Sequence, residues 1–213
     1  MNTRRSYLLG LTLIAASAVA SALAYPTMPE RMAVHWNAAG AADDRMARPL
    51  ALALLPAVSA LVLGVFAAIP RIDPLGENVA TFRETFDRFA IVVLGLLTYA
   101  HLLVLAWNAR YRFEMLQALA PALGALTYAT GVLLDRAKRN WFIGIRTPWT
   151  LSDDEVWRRT HERAAPLFKL AAPVVALGAL APEYGLYLIV APLAAASVYA
   201  TVYSYLAYRR VAA

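Results

Sequence analysis

The sequence predicts an all-α membrane protein, a polytopic bundle of six transmembrane helices with the N- and C-termini in the cytoplasm. Hydrophobic residues make up 61% of the chain and charged residues 16%, with a mean hydropathy of +0.53, whereas soluble domains carry about 25% charged residues. Apolar runs of the length that crosses a bilayer recur along the whole chain. The sequence contains no cysteine, which excludes disulfides, thiolate metal sites and cysteine nucleophiles.

Six apolar runs match the length of about 20 residues that the hydrocarbon core requires. They cover residues 7–24, 50–69, 89–107, 115–134, 164–182 and 185–207. The fifth run has the weakest signal, because Arg163 and Lys169 lie near its start and Pro173 interrupts it. A lysine there can extend to the interface, and neighbouring helices can satisfy the backbone group that a proline frees.

Positively charged residues predict the orientation of these spans. Of the 20 lysines and arginines, 15 fall on the side that holds both termini, and such residues are enriched in cytoplasmic loops. The same distribution explains the net charge of +6 without direct nucleic acid binding. The first run has an alternative interpretation as a cleaved secretory signal, because Arg4 and Arg5 precede it and "SALA" ends it. Cleavage would leave five helices, whereas the charge at the C-terminus favours an even number.

The stretch richest in charge and tryptophan follows the fourth span. It reads RNWFIGIRTPWTLSDDEVWRRTHERAA and covers residues 139–165. Pro148 biases Thr147 toward an extended conformation. Ser152 followed by Glu155 has the pattern of a capping box, which predicts a short amphipathic helix near residues 153–163 on the inner leaflet.

Two motifs in this sequence resemble a known family. The run "GIRTPWTLSDDEVWRRTH" resembles the signature of the SdpI family, multi-span proteins whose namesake gives immunity to a secreted peptide toxin and takes part in signalling. Upstream, "YPTMPERMAVHWNAAGAADDR" resembles the small domain of unknown function that commonly precedes that signature. The resemblance implies a region 1–70 with an external loop 25–48, and a region 71–213 with a cytoplasmic signature loop 135–163.

The function that the resemblance implies is resistance to a secreted peptide toxin. The implied partners are the lipid bilayer of the cell membrane, the toxin outside, and a transcriptional repressor or other regulator inside. The alternatives are a small transporter or channel, or a structural membrane protein. A transporter would align polar residues along several spans. Only a few polar residues of the third and fourth spans fit this pattern: Thr98, His101, Thr127, Tyr128 and Thr130. We predict no enzymatic activity, because no catalytic constellation can be assembled from the sequence.

Candidate binding residues come from the two motifs. In the external loop they are the polar and turn-forming positions His35, Asn37, Gly40, Asp43 and Asp44. In the cytoplasmic signature they are Asn140, Gly144, Arg146, Thr147, Pro148, Trp149, Trp157 and His161. The external histidine and aspartates lack the spacings of a zinc site, so we predict neither a metal nor a cofactor.

Two residues of the cytoplasmic signature allow sharper expectations. Arg146 is expected to bind a carboxylate of Asp153, Asp154 or Glu155 and fold the loop onto its helix, or else to bind a partner. His161 is expected to pack near Trp157 or to act as a base.

His101 lies inside the third span, where ionisable side chains are uncommon and indicate function. An interhelical hydrogen bond is one interpretation, and a proton relay is the other. The absence of central Asp, Glu, Lys or Arg residues in the spans argues against an ion-coupled transporter.

Overall fold

The computed structural model describes residues 2–211, and six of its helices are long and apolar enough to cross a membrane. This confirms the predicted membrane helix bundle. The α-helices in this part of the chain are α1 (Thr3–Ala24), α2 (Arg48–Ile72), α3 (Gly76–Thr81), α4 (Arg83–Asn108), α5 (Met115–Arg136), α6 (Pro148–Ser152), α7 (Asp154–Leu177) and α8 (Gly185–Val211). Helices α3 and α6 are short and lie in connections, and the other six are the spans.

The segment between α1 and α2 folds into a β-hairpin, which the sequence analysis treated only as a loop. Strand β1 (Arg31–Trp36) pairs antiparallel with β2 (Ala42–Ala47), with irregular register around His35. Asn37 closes the turn, because its side-chain oxygen accepts hydrogen bonds from the backbone N–H groups of Ala39 and Ala41 at 3.0 and 3.1 Å. Gly40 completes the turn with a positive φ of 75°, a conformation that glycine adopts at little cost.

The six spans pack as two groups of three helices. Helices α1, α2 and α4 contact one another, as do α5, α7 and α8, and the contact between α4 and α5 joins the groups. The predicted division at residue 70 stays a prediction. We call the end with the hairpin and residues 109–114 and 181–184 the hairpin end, and the end with residues 73–82 and 137–153 the signature end.

Small residues allow α5 and α7 to pack closely. A side-chain carbon on Gly124 would lie 2.9 Å from the Ala172 carbonyl oxygen, and one on Gly131 would lie 2.8 Å from that of Ala165. The two glycines and the two alanines are each seven residues apart, so both pairs meet along one face. Glycine and alanine are common where membrane helices approach, and this contact explains why the weakly predicted fifth span is a stable helix.

The predicted amphipathic helix is the beginning of α7 and continues directly into the fifth span. The predicted capping box at Ser152 is wrong. Asp153 is the cap, and its side-chain oxygen accepts from the N–H groups of Glu155 and Val156 at 2.8 and 2.9 Å. Ser152 belongs to the preceding helix α6, where its hydroxyl donates to the carbonyl of Trp149 at 2.9 Å.

Candidate functional site

The signature end is organised by the buried side chain of Asn140, which is 0% exposed. Its amide nitrogen donates to the carbonyls of Lys138 and Ile143 at 2.8 and 2.9 Å. Its oxygen accepts from the N–H groups of Phe142 and Ile143 at 2.9 and 2.6 Å. All of these bonds are local, so one side chain determines the path of the loop.

The connection between α2 and α4 holds the same loop from the other side. Asp73 is buried, and its carboxylate accepts from the N–H groups of Leu75 and Trp141 at 2.7 and 2.9 Å. Asn78 donates to the carbonyl of Arg139 at 2.8 Å. Neither residue could be identified from the sequence, because a carboxylate and an amide in a short polar connection look like ordinary surface residues.

His161 packs under the loop, as predicted. Its ring stacks on Trp157 with centroids 4.1 Å apart. Its Nε2 accepts from the N–H of Ile145 at 3.0 Å, so Nδ1 carries the proton and donates to the carbonyl of Trp157 at 2.8 Å. Gly144 covers the ring with a positive φ of 115°, and a side-chain carbon there would lie 2.6 Å from Nε2. With both nitrogens occupied, this imidazole serves as a structural element.

The predicted ion pair of Arg146 with the start of α7 is wrong. Arg146 is exposed and donates to the carbonyl of Trp141 at 2.7 Å. Arg139 makes the expected connection instead, with an ion pair of 2.7 Å to Asp154 and a hydrogen bond of 2.9 Å to the carbonyl of Leu151. Hydrogen bonds within the loop turn Arg146 away from α7.

The last part of the signature docks on α8. The Thr147 hydroxyl donates to the Ser204 hydroxyl at 3.0 Å and also caps α6. Pro148 begins that helix, where a missing N–H has no cost. The ring of Trp149 lies 5.1 Å from that of Tyr205. The signature therefore joins α5, α7 and α8 at one end of the bundle.

The hairpin end places three of the five predicted external residues at an open cavity. Asp43 accepts a hydrogen bond from the His35 ring at 2.6 Å on the exposed surface, whereas Asp44 accepts from the adjacent Arg45 N–H. His35, Asn37 and Gly40 line a cavity of about 450 Å³ under the hairpin. Its other lining residues are mostly apolar: Val34, Trp36, Ala38, Leu55, Ala100, Val104, Met115, Leu116, Leu119 and Leu186. We call this space the hairpin cavity.

Asn108, which the sequence analysis also missed, attaches the hairpin to the bundle. It is 7% exposed at the end of α4. Its side-chain oxygen accepts from the Ala33 N–H at 2.8 Å, and its nitrogen donates to the Ala33 carbonyl at 3.0 Å. It thus pairs with the middle of β1 as a neighbouring strand would. Within residues 2–211, no three His, Asp or Glu side chains are grouped to hold a metal ion.

His101 makes the predicted interhelical contact, at 1% exposure. Pro56 lacks an N–H and so leaves the carbonyl of Leu52 without its helical partner. The Ser21 hydroxyl donates to that carbonyl at 2.8 Å, and His101 Nε2 lies 2.8 Å from the Ser21 hydroxyl oxygen. Since the hydroxyl proton is used, Nε2–H donates to Ser21. Three helices therefore meet at one polar node.

Removing the Ser21 hydroxyl is expected to destabilise this node. Ser21→Ala leaves Leu52 and His101 without their partner, which costs about 1–2 kcal/mol in a membrane helix bundle. We expect a lower thermal unfolding midpoint in detergent micelles. Ser59→Ala is the matched control, because the Ser59 hydroxyl is buried without a partner in the described part of the chain, and its removal should not lower the midpoint. An unchanged midpoint for Ser21→Ala would show that the node carries no stability.

The other polar residues that a transporter could use do not continue the hydrogen bonds of Ser21 and His101 along the spans. Thr127 and Thr130 donate to carbonyls one turn earlier in their own helix, and Tyr128 is 53% exposed. Thr98 lies 3.3 Å from Ser17 on α1. These contacts favour packing over a polar pathway.

The fold and its two ends define a multi-pass cell membrane protein in which a docked hairpin and a hydrogen-bonded loop lie at opposite ends of a helix bundle. The chain resembles the SdpI family in two separate segments. Residues 136–204 match the SdpI/YfhL protein family, and residues 12–60 match a domain of unknown function, DUF1648. The chain is 22% identical over 205 residues to "Immunity protein SdpI" of Bacillus subtilis (strain 168), a match that covers 96% of each chain. No solved structure matches it.

Proposed function

We propose that this protein is an immunity-type membrane protein that protects its cell from a secreted peptide toxin. The observation that carries the proposal is the similarity to an immunity protein across 96% of both chains, which includes the hairpin end as well as the signature end. In the orientation that the lysines and arginines predict, the hairpin end faces outward. The hairpin cavity is then accessible to a peptide that arrives from outside.

The signature end is the proposed site for a cytosolic regulator such as a transcriptional repressor. Trp141 is 50% exposed there and lies beside the exposed Arg146, whose guanidinium donates to its carbonyl. Tryptophan and arginine are enriched at protein interfaces. A cavity of about 560 Å³ lined by charged side chains, among them Lys138 and Arg158, adds polar contacts nearby. The proposal requires no catalytic step.

Survival of a toxin-sensitive bacterium tests the proposal. We expect cells that express the protein to tolerate at least tenfold more of a secreted pore-forming peptide than cells with an empty vector. His35→Ala removes the exposed contact to Asp43 at the hairpin end, and Arg146→Ala changes the surface of the signature end without a buried contact. Loss of protection in either variant, at equal membrane levels, shows which end is required.

The proposal fails if the wild-type protein, present in the membrane at normal levels, protects against none of several such peptides. Packing and transport functions would then become the better explanations.

A further inference from the structure

We propose that the hairpin cavity binds an apolar side chain of a cationic peptide, with Glu114 and Glu183 holding the peptide's basic group at the cavity mouth. The choice of a peptide rests on the proposed function, whereas the site and its chemistry come from the structure. Nothing in the family similarity assigns a ligand to this space.

The walls of the hairpin cavity are suited to an apolar group. Leu55 and Val104 come from one three-helix group, Leu119 and Leu186 come from the other, and Trp36 of the hairpin contributes to the lining. The volume of about 450 Å³ lies in the range of about 300–1,000 Å³ that is usual for ligand pockets. The contact between α4 and α5 joins the two helix groups, and the hairpin covers a gap beside it that the side chains of the two groups leave unfilled.

Two carboxylates lie beside the opening. A second cavity of about 350 Å³ shares Ala38, Gly40 and Leu116 with the hairpin cavity, and it is lined by Glu114 and Glu183. The carboxylate of Glu114 lies against Gly40 at the hairpin turn, where only glycine leaves room for it. Both glutamates are exposed, and neither forms an ion pair with another residue of the described chain.

Three arginines of the hairpin end have partners other than the two glutamates, and Arg45 and Arg110 line a different cavity. Arg48 stacks on Tyr25 with its guanidinium carbon 4.3 Å from the ring centroid, and Arg112 stacks on Trp107 at 4.0 Å. Arg31 donates to the backbone carbonyl of Arg45 at 2.9 Å. The two carboxylates are therefore available to bind a cationic ligand. Carboxylates beside low-dielectric walls attract cations.

The combination favours a peptide over a lipid. The phosphate of a phospholipid headgroup would be repelled by two carboxylates, whereas a lysine or arginine beside a leucine or aromatic residue satisfies both parts of the site.

Binding of a synthetic peptide tests the site directly. The probe is a dye-labelled amphipathic peptide of leucine and lysine, and its control has every lysine replaced by glutamine. Fluorescence anisotropy is measured with the purified full-length protein in phosphatidylcholine nanodiscs, and empty nanodiscs give the background. We expect the wild-type protein to bind the lysine peptide at least tenfold more tightly than the glutamine peptide.

Two kinds of variant separate the two parts of the site. Leu119→Trp and Leu186→Trp fill the cavity and should weaken both peptides at least tenfold, whereas Leu61→Trp, on a lipid-facing position that is 68% exposed, should weaken neither. The double variant Glu114→Gln, Glu183→Gln should remove the preference for lysine. The matched double variant Glu30→Gln, Glu77→Gln changes exposed carboxylates outside both cavities and should retain it.

Wild-type affinity in both cavity-filling variants, or equal binding of the two peptides by the wild type, would overturn the inference. Far-UV circular dichroism confirms that each variant is folded, and either of the two tryptophan variants is sufficient if the other does not fold. The proposed function is tested separately by survival. Specific binding without protection contradicts the function but supports the site, and protection that persists in the cavity-filling variants contradicts the site but supports the function.

Discussion

Gly144→Ala is expected to destabilise the protein by roughly 2–6 kcal/mol, since strained backbone and overpacking each cost about 1–3 kcal/mol. Gly144 has a φ of 115°, which side chains other than glycine rarely adopt. A methyl group there would lie 2.6 Å from His161 Nε2 and 3.0 Å from the Trp157 ring. It would therefore separate the Ile145 N–H from the imidazole. We expect a markedly lower thermal unfolding midpoint in detergent micelles.

Gly95→Ala is the matched control for this prediction. Gly95 lies within α4, and a side-chain carbon there meets no atom within 4 Å. Alanine is favoured over glycine in a helix interior by about 0.5–1 kcal/mol, so the midpoint should stay the same or rise. If Gly144→Ala unfolds at the wild-type temperature, the loop tolerates a different path and His161 does not stabilise it.

The six spans could be predicted from sequence because the signal for each is contained in its own residues. A run of about 20 apolar residues is sufficient to favour insertion, whatever the rest of the chain does. The packing of the spans could not be predicted in this way. The contact between α5 and α7 depends on Gly124 and Gly131 meeting Ala172 and Ala165, and no local pattern relates positions that are this far apart in the chain.

The signature shows the same limit at the level of single residues. Packing of His161 near Trp157 was one of the two expectations for this residue, and the stacked rings confirm that contact. The partner of Arg146 was predicted wrongly, because nearby opposite charges indicate possible pairs but not the direction of the loop. That direction comes from Asn140 within the loop and from Asp73, which lies 68 residues before its partner Trp141.

The hairpin was missed for a different physical reason. Only Met32 and Ala33 of β1 are buried, while most of β2 is exposed, so the strands lack the clear alternation that identifies a half-buried sheet. A two-stranded hairpin is also marginal on its own. Its stability therefore depends on contacts with the helices, and Asn108 is the clearest of these.

Asn108→Ala is expected to release the hairpin while leaving the helix bundle intact. The substitution leaves the N–H and carbonyl of Ala33 without their side-chain partner, at a cost of about 1–3 kcal/mol for each buried group. The apolar packing of Met32 and the ring contact between Trp36 and Trp107 remain in the variant, but the loss of both hydrogen bonds should make local opening of the hairpin at least thirtyfold more frequent, which corresponds to about 2 kcal/mol. Hydrogen–deuterium exchange of the amides of residues 31–36, measured in nanodiscs, reports this opening.

Asn78→Ala distinguishes a local effect from a general one. Asn78 also donates to a distant backbone carbonyl, that of Arg139, but at the signature end, so its removal should leave exchange in the hairpin unchanged. If Asn108→Ala leaves exchange of residues 31–36 at the wild-type rate, apolar contacts alone hold the hairpin over its cavity. If exchange rises and peptide binding falls with it, the docked hairpin is part of the binding site, because the cavity is lined in part by Val34, His35 and Trp36.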